Sequence, residues 1–168
     1  MTNEQSEIVC GHEAAHGVMR CICGLPATEL TISEHGGYCA GTGRIEDPDK
    51  ILLVTLAGFA WESGCGANAI DFNNSSSYDF DEARDIIANC LALRLRGDFA
   101  NNKVMVCSVE ESLSDYFDKA SNFLIPYSDI IEELAEELEI HGNVSAQRVE
   151  EILHEWQIVN RPIDNILP

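Results

Sequence analysis

The feature that most constrains the fold is an apolar segment, "ILLVTLAGFAW", at residues 51–61. Only Thr55 and Gly58 interrupt it, so a helix formed here would be apolar nearly all round and would have to lie buried at the centre of a domain. The segment is too short to span a bilayer, which takes about 20 apolar residues. Asp47 and Pro48 precede it at positions typical of an N-cap and a first helical residue. We therefore predict a buried central helix and no transmembrane segment.

The rest of the chain carries mainly helical patterns. Apolar residues at helical spacing predict further helices over residues 3–21, 78–96, 109–124, 128–140 and from after Ser145 to about 157. Ser108 and Glu111 form a capping box, which predicts where the helix at 109–124 begins. A chain of 168 residues is long enough to bury about two-thirds of its unfolded surface in one core. We expect a mostly α fold with a single domain over residues 1–168 and an irregular tail at about 158–168.

One segment after the first helix has a β pattern. Leu30 and Ile32 alternate with polar neighbours, and Gly36 and Gly37 are typical of a turn. The sequence therefore predicts a short β-hairpin or edge strand here, as the only β element of the chain.

Composition narrows the class of partner and compartment. With 10 Lys plus Arg against 29 Asp plus Glu, the chain carries a formal net charge of -19. A face that binds phosphate needs clustered cations, so this balance argues against nucleic acid and anionic membranes as partners. The 7 cysteines are odd in number and scattered, and we expect no secretory signal before them. We therefore predict a cytoplasmic protein with free thiols.

The segment "CGHEAAHGV" at residues 10–18 contains the pattern H-E-x-x-H at His12, Glu13 and His16. Residues four apart lie on one face of a helix, so both imidazoles can point at a single ion while Glu13 lies one position aside. Zinc accepts neutral imidazole nitrogens and lowers the pKa of a water molecule, which a nearby carboxylate can then deprotonate. A simpler explanation is that both histidines only make hydrogen bonds within the fold. However, the neighbours Ala14, Ala15 and Gly17 are small, so they let another backbone or a ligand approach this helix closely. We predict one Zn²⁺ per chain, with Glu13 as the base.

Two histidines leave such a site one ligand short. Several acidic and histidine side chains could complete it, namely Glu62, Asp79, Asp81, His35, His141 and His154. Glu62 ends the apolar helix, where a buried carboxylate needs a metal or a histidine N–H as its partner. Asp79 begins the next helix, where acidic residues also occur because they complement the helix dipole. Spacing alone does not choose between Glu62 and Asp79.

Four segments, taken in order, resemble the landmarks of one known family. They are "HEAAH" at 12–16, "TELTISEHGGYCAGTG" at 28–43, "LAGFAWE" at 56–62 and "SSYDFDEAR" at 76–84. In this order they resemble the peptidase domain of FtsH-type ATP-dependent zinc proteases. A weaker likeness over residues 130–153 matches the family's late helix pair, so the resemblance covers most of the chain.

The resemblance implies a helical metallopeptidase fold and a role for each matched residue. His12, His16 and Asp79 would bind the zinc, and Glu13 would be the catalytic base. Glu62 would lie near the zinc without being a direct ligand.

The chain also departs from the family pattern. The family usually has Gly where Ala15 stands, Arg where Phe59 stands and Glu where Ser63 stands. No P-loop pattern G-x-x-x-x-G-K-[ST] is present in the sequence, so the resemblance extends to the peptidase part without the ATPase and membrane parts. We therefore expect either a stand-alone peptidase or a peptidase-like module with lost or altered activity.

These observations support two hypotheses from different functional classes. The first is a zinc metalloendopeptidase that hydrolyses unfolded or flexible polypeptides, with Leu30, Thr31 and Ile32 as the edge strand to which an extended substrate adds. The second is a non-catalytic binding or regulatory domain that acts through its acidic surface. Besides a polypeptide substrate, the expected partners are further copies of the chain in a homo-oligomer or a separate ATPase.

Overall fold

The computed structural model of the protein describes residues 3–33, 36–40, 47–64, 76–95 and 102–156. The fold is mostly helical with a small antiparallel sheet after the first helix, which confirms the predicted fold class. The elements in chain order are α1 Asn3–Ile22, β1 Glu29–Ser33, β2 Gly36–Ala40, α2 Pro48–Gly64, α3 Ser76–Leu95, α4 Asn102–Leu124, a 3₁₀ helix Ile125–Tyr127, α5 Ser128–His141, β3 Asn143–Val144 and α6 Ala146–Glu155. The predicted tail at 158–168 lies outside the described residues.

Helix α2 is the buried helix that the apolar segment predicts. It packs against α1, α3 and α4, and Leu53, Leu56 and Ala57 are fully buried. Asp47 caps its first turn, because the backbone N–H of Asp49 donates to Asp47 Oδ1 at 3.0 Å. Among the described helices, none combines the length and the apolar character that crossing a bilayer requires.

Helix α1 is the second organising helix, and its main contacts are with two other helices. One is α2 and the other is α5, whose buried side chains are Ile130, Ile131, Leu134 and Leu138. The apolar residues of α1, α2 and α5 belong to one continuous core. Burying apolar side chains against both neighbours is the main force that holds α1 in place.

The sheet corrects the prediction of an edge strand at Leu30, Thr31 and Ile32. The strand order is β2-β1-β3, so β1 is the central strand. On one side Leu30 pairs with Cys39, and on the other side Leu30 pairs with Val144. Strand β3 was not predicted, because two residues are too few to show a period-two pattern. Gly142 makes β3 possible: it ends α5 with a φ of 71° and turns the chain back toward β1.

The glycines of the hairpin are also placed differently from the prediction. Gly36 and Gly37 lie within β2, where they pair with Ser33 and Ile32, rather than in the turn. Gly36 has a φ of 131°, a conformation that residues with a side chain rarely adopt. The glycine pair therefore marks the start of the second strand.

The helix at 109–124 begins earlier than its capping box predicts. Helix α4 starts at Asn102, which places Ser108 and Glu111 inside the helix. A capping-box pattern starts a helix only where the preceding chain is not already helical. The later boundaries agree better with prediction, since Ser145 accepts a hydrogen bond from the backbone N–H of Arg148 at 3.2 Å and caps α6.

Five cysteines whose side chains the structure describes form no disulfide bond. They are Cys10, Cys21, Cys23, Cys39 and Cys90. Burial raises the pKa of Cys21 to about 11 and the pKa of Cys23 to about 12. These two thiols therefore stay protonated at neutral pH and behave as small apolar side chains.

Candidate metal centre

Three potential ligand atoms converge between α1 and α3. Nε2 of His12 lies 3.0 Å from Nε2 of His16, and Oδ2 of Asp79 lies 2.9 Å from the first atom and 3.2 Å from the second. An ion about 2.0 to 2.1 Å from each of its tetrahedral ligands places those ligand atoms about 3.3 Å apart. The observed separations fit one ion, so His12, His16 and Asp79 could hold a metal.

The local structure explains how these three side chains meet. His12 and His16 are one helical turn apart in α1, and both are buried, with exposed fractions of 2% and 9%. Asp79 lies in the first turn of α3, and its side chain is 18% exposed. Two ligands thus come from within one helix and the third comes from the start of another.

The other ring nitrogen of each histidine has an acceptor of its own. Nδ1 of His12 lies 2.7 Å from Oε1 of Glu62, and Nδ1 of His16 lies 2.7 Å from the backbone oxygen of Val54. A carbonyl oxygen can only accept, so Nδ1 of His16 carries the proton. With Nδ1 engaged in this way, Nε2 of His16 is the ring nitrogen that can bind a metal.

The geometry separates the roles of the two carboxylates that spacing left open. The Asp79 carboxylate contacts Nε2 of both histidines, on the side where the ligand atoms converge. The Glu62 carboxylate contacts Nδ1 of His12, on the opposite side of the ring. Glu62 can therefore orient His12 and fix its tautomer, but it does not reach the converging atoms.

The remaining candidates for the third ligand do not join this group. Asp81 instead lies 3.3 Å from Nη1 of Arg84 on the surface of α3. His141 and His154 are both exposed, near the ends of α5 and α6. His35 lies outside the described residues. In the part of the chain that the structure describes, His12, His16 and Asp79 form the one converging set.

Glu13 lies beside the histidine pair and is 5% exposed. Strand β2 covers it, and Gly37 is the point of contact, because a Cβ at Gly37 would overlap the Glu13 carboxylate. Burial raises the pKa of Glu13, and the neighbouring His16 and His12 oppose that rise. A carboxylate held in this way is a stronger base than one in water.

Gly58 makes the close approach of α1 and α2 possible. A Cβ at Gly58 would overlap the imidazole of His12. The carbonyl that binds His16, that of Val54, lies one turn before Gly58 on the same helix. The missing side chain therefore lets the His12 ring lie against the backbone of α2.

The charges of the site depend strongly on one another. Burial alone would lower the pKa of His12, but hydrogen bonds to Asp79 and Glu62 and the negative charges of Glu62 and Glu13 raise it to about 10. Burial alone would raise the pKa of Asp79, but its hydrogen bonds to His12 and His16 lower it to about 2. In the absence of a metal, a proton on His12 thus compensates the surrounding carboxylates.

The three departures from the family pattern have different surroundings. Ala15 is fully buried in the core, so its methyl group is accommodated there. Ser63 is exposed near the end of α2. Phe59 packs its ring against the rings of Phe80 and Phe117.

Three features of the site were missed from the sequence. The carbonyl of Val54 has no signature, since every residue has one. Gly58 does leave a signal, because a glycine inside an apolar helix usually has a packing reason. Gly37 was interpreted as a turn residue, although a glycine in a strand also indicates a close approach.

A scan against protein-family models found no match to this chain, and a search of curated proteins found no significant match. The resemblance of the four sequence segments to one family therefore stays a prediction.

Proposed function

We propose that this protein is a zinc-dependent metallopeptidase that hydrolyses peptide bonds in unfolded or flexible polypeptides. The observation that carries the proposal is the convergence of Nε2 of His12, Nε2 of His16 and Oδ2 of Asp79 within 3.2 Å of one another. Glu13 lies on the same helix between the two histidines in sequence. Three ligands with a buried carboxylate beside them are the usual composition of a catalytic zinc site.

Zinc is the metal that this ligand set favours. Two neutral imidazoles and one carboxylate suit a tetrahedral ion that keeps one position open, whereas Mg²⁺ and Ca²⁺ prefer oxygen ligands. A zinc ion held there would act as a Lewis acid, which lowers the pKa of a water molecule and polarises a peptide carbonyl. The hydrogen bonds from Nδ1 of each histidine to Glu62 and Val54 keep both rings in the orientation that binding needs.

Glu13 is the residue that moves the proton in this proposal. It accepts a proton from the attacking water as the oxygen–carbon bond forms. It then donates that proton to the amide nitrogen as the carbon–nitrogen bond breaks, which releases an amine and a carboxylic acid. Its burial under β2 limits competing contacts with bulk water, and its raised pKa suits both halves of this transfer.

The substrate strand must be placed differently from the sequence-based prediction. Strand β1, with Leu30, Thr31 and Ile32, has a neighbour on each side, so it cannot accept another strand along its paired length. The outer edge of β2 pairs with no other described strand. Gly37 of β2 lies against Glu13. We infer that an extended peptide adds to β2, which would bring its backbone next to the proposed base.

Zinc stoichiometry and proteolysis together test the proposal. The purified protein should bind about one Zn²⁺ per chain and should cleave an unstructured protein such as casein, and a chelator should abolish cleavage. His12→Ala and His16→Ala should each lose the ion, because two remaining ligands seldom hold it. His154→Ala is the matched control, since this histidine is exposed on α6 and should retain both properties.

Full zinc retention in both site variants would contradict the metal centre. Zinc binding without any cleavage would instead favour the second hypothesis, a binding or regulatory domain that acts through its acidic surface. The predicted homo-oligomer, the separate ATPase partner and the cytoplasmic location stay predictions, which sizing of the purified protein and localisation of the tagged chain would test.

A further inference from the structure

Asp79 contacts residues of α1, but the helix that carries Asp79 packs chiefly against other helices. Helix α3 packs chiefly against α2 and α4, yet the Asp79 carboxylate contacts the histidines of α1. Something on α2 or α4 must therefore fix the first turn of α3 relative to α1. A shift of that turn by about 1 Å would be enough to spoil metal geometry.

An aromatic contact lies next to Asp79 and meets this requirement. Phe80, the next residue along α3, packs its ring against Phe59 of α2 with centroids 4.8 Å apart and planes at 63°. Phe59 in turn lies 5.0 Å from Phe117 of α4. Rings at these separations and angles attract one another, and the three rings join α2, α3 and α4 at one point.

The place of Phe59 on α2 connects this contact to the histidines. Phe59 follows Gly58, the residue against which the His12 imidazole lies. Two consecutive residues of α2 thus lie next to the two ligands: Gly58 lies against His12 of α1, and Phe59 contacts Phe80, the neighbour of Asp79 on α3. Helix α2 therefore has one contact beside each of these ligands.

Other contacts of α3 are less able to set this position. Arg84 lies over the Phe80 ring at 5.1 Å and bonds Glu110 of α4, but its side chain is 41% exposed, and exposed ion pairs contribute little. Ala83 and Ile87 are buried, yet they lie one and two turns further along the helix. They hold the body of α3 rather than its first turn.

We propose that Phe59 and Phe80 are positioning residues, whose ring contact holds Asp79 in place as the third metal ligand. The inference rests on the proposed metal centre at His12, His16 and Asp79, but not on peptide hydrolysis. Phe80→Leu keeps an apolar side chain and removes the ring, so the first turn of α3 should move while the histidine pair stays. Phe80→Tyr keeps the ring and should restore the parental behaviour.

The experiment measures Zn²⁺ affinity by chelator competition and records the visible absorption of the Co²⁺-substituted protein. Phe80→Leu should weaken Zn²⁺ binding by about 10-fold and change the Co²⁺ spectrum, as expected when an outer residue no longer orients a ligand. Phe59→Leu should have a similar effect, and the double variant should lose little more than either single variant. Phe123→Leu, which removes a half-buried ring elsewhere on α4, should lower thermal stability without changing the Co²⁺ spectrum.

A crystal structure of metal-free Phe80→Leu separates this inference from the proposed function. The distance from Asp79 Oδ2 to His12 Nε2, which is 2.9 Å in the parent, should increase. An unchanged distance, or parental zinc affinity and spectrum in a folded Phe80→Leu, would overturn the positioning role. Failure of the parent to bind zinc would overturn the proposed function and the role of Asp79 as a ligand, whereas this distance would still show whether the ring contact holds Asp79 beside the histidines. If Phe80→Leu does not fold, Phe59→Leu provides the same three measurements.

Discussion

The two faces of α1 are covered in contrasting ways. Toward α5 the contact is apolar, with Ile130, Ile131, Leu134 and Leu138 of α5 buried in the common core. Toward α2 the helix presents two buried histidines, and each Nδ1 meets an acceptor at 2.7 Å. One helix therefore carries a face that stabilises the fold and a face that presents chemistry.

The difference predicts which property of the protein a substitution on each face changes. An apolar face gains free energy in proportion to the area buried, so a lost methyl group reduces stability without redirecting any other group. A buried polar face gains only when every donor has its acceptor, so one lost partner leaves the other unpaired. We expect substitutions on the α5 side to change stability and substitutions on the α2 side to change metal binding and activity.

The largest expected effect is on catalysis and comes from Glu13, which lies beside the histidines of the polar face. Glu13→Gln should lower proteolysis by about 10²- to 10⁴-fold, because an amide cannot accept the proton from water, while zinc content stays unchanged. Glu7→Gln on the exposed part of the same helix is the control and should keep full activity. Parental activity in Glu13→Gln would show that this carboxylate is not the base.

The second prediction divides the polar face into direct ligands and supporting residues. Loss of a residue that supports a metal ligand typically weakens metal binding by about 10- to 100-fold, and Glu62→Gln should weaken zinc binding within that range. Asp79→Asn should weaken zinc binding by more, because it removes a direct ligand. Chelator competition measures both affinities. Asp81→Asn, two residues along α3, is the control and should bind zinc as the parent does. A greater loss in Glu62→Gln would show that the third ligand has been assigned to the wrong carboxylate.

The third prediction concerns the apolar face alone. Leu134→Ala removes a fully buried side chain of α5 and should lower the free energy of unfolding by about 2 to 5 kcal/mol. The zinc affinity of the folded protein should not change. Ile140→Ala, at a site that is 74% exposed, is the control for denaturant unfolding and should be nearly neutral. A large change in zinc affinity in Leu134→Ala would mean that the two faces are not independent.

The fourth prediction tests how tightly the polar face fits α2. Gly58→Ala should destabilise the protein by about 1 to 3 kcal/mol and weaken zinc binding, because the new methyl group overlaps the His12 imidazole. Gly64→Ala, where a Cβ meets no atom within 4 Å, is the matched control in the same helix. Unfolding curves and zinc titrations of both variants measure the effect, and equal behaviour would show that the close approach is not needed.

The smallest expected effect is a difference in pH dependence. In the metal-free protein the pKa of His12 is raised from 6.5 to about 10. The contribution of His12 to the stability of the folded state is therefore complete below about pH 6.5 and is lost as pH rises toward 10. The lowered pKa of Asp79, about 2, contributes above about pH 3.8 and is lost as pH falls toward 2.

In the presence of zinc, stability should instead increase as pH rises on the alkaline side. The ion must displace the proton of His12, so it binds better at higher pH. Melting temperatures with chelator and with zinc between pH 6 and 9 should diverge by a few degrees. Parallel curves would argue against His12 as a ligand.

The two faces also differ in how well the sequence predicts them. The apolar segment of α2 and the H-E-x-x-H pattern are local, so the central helix and the shared face of His12 and His16 follow from helical periodicity. The choice between Asp79 and Glu62 is not local, because it depends on how α3 folds over α1 and α2. Spacing alone left that choice open, and the family resemblance favoured Asp79.

The errors of prediction have physical causes that can be named. Strand β3 is a strand because Gly142 places Asn143 and Val144 against β1, and not because of its own pattern. The capping box at Ser108 is present in the sequence but lies in a chain that is already helical. Both cases show that long-range contacts can override short patterns.

The sheet also has a consequence for the order in which the molecule can assemble. Asn143 Nδ2 donates to Thr31 Oγ1 at 3.2 Å across 112 residues of chain. A ribosome needs on the order of 10 s to make such a length, and contacts of this separation form late. Until β3 arrives, the hairpin that covers Glu13 lacks its neighbour on one side. A newly made chain would thus carry its histidines and its hairpin well before β1 has both of its neighbours, so the sheet over Glu13 is complete only after residue 144 has been made.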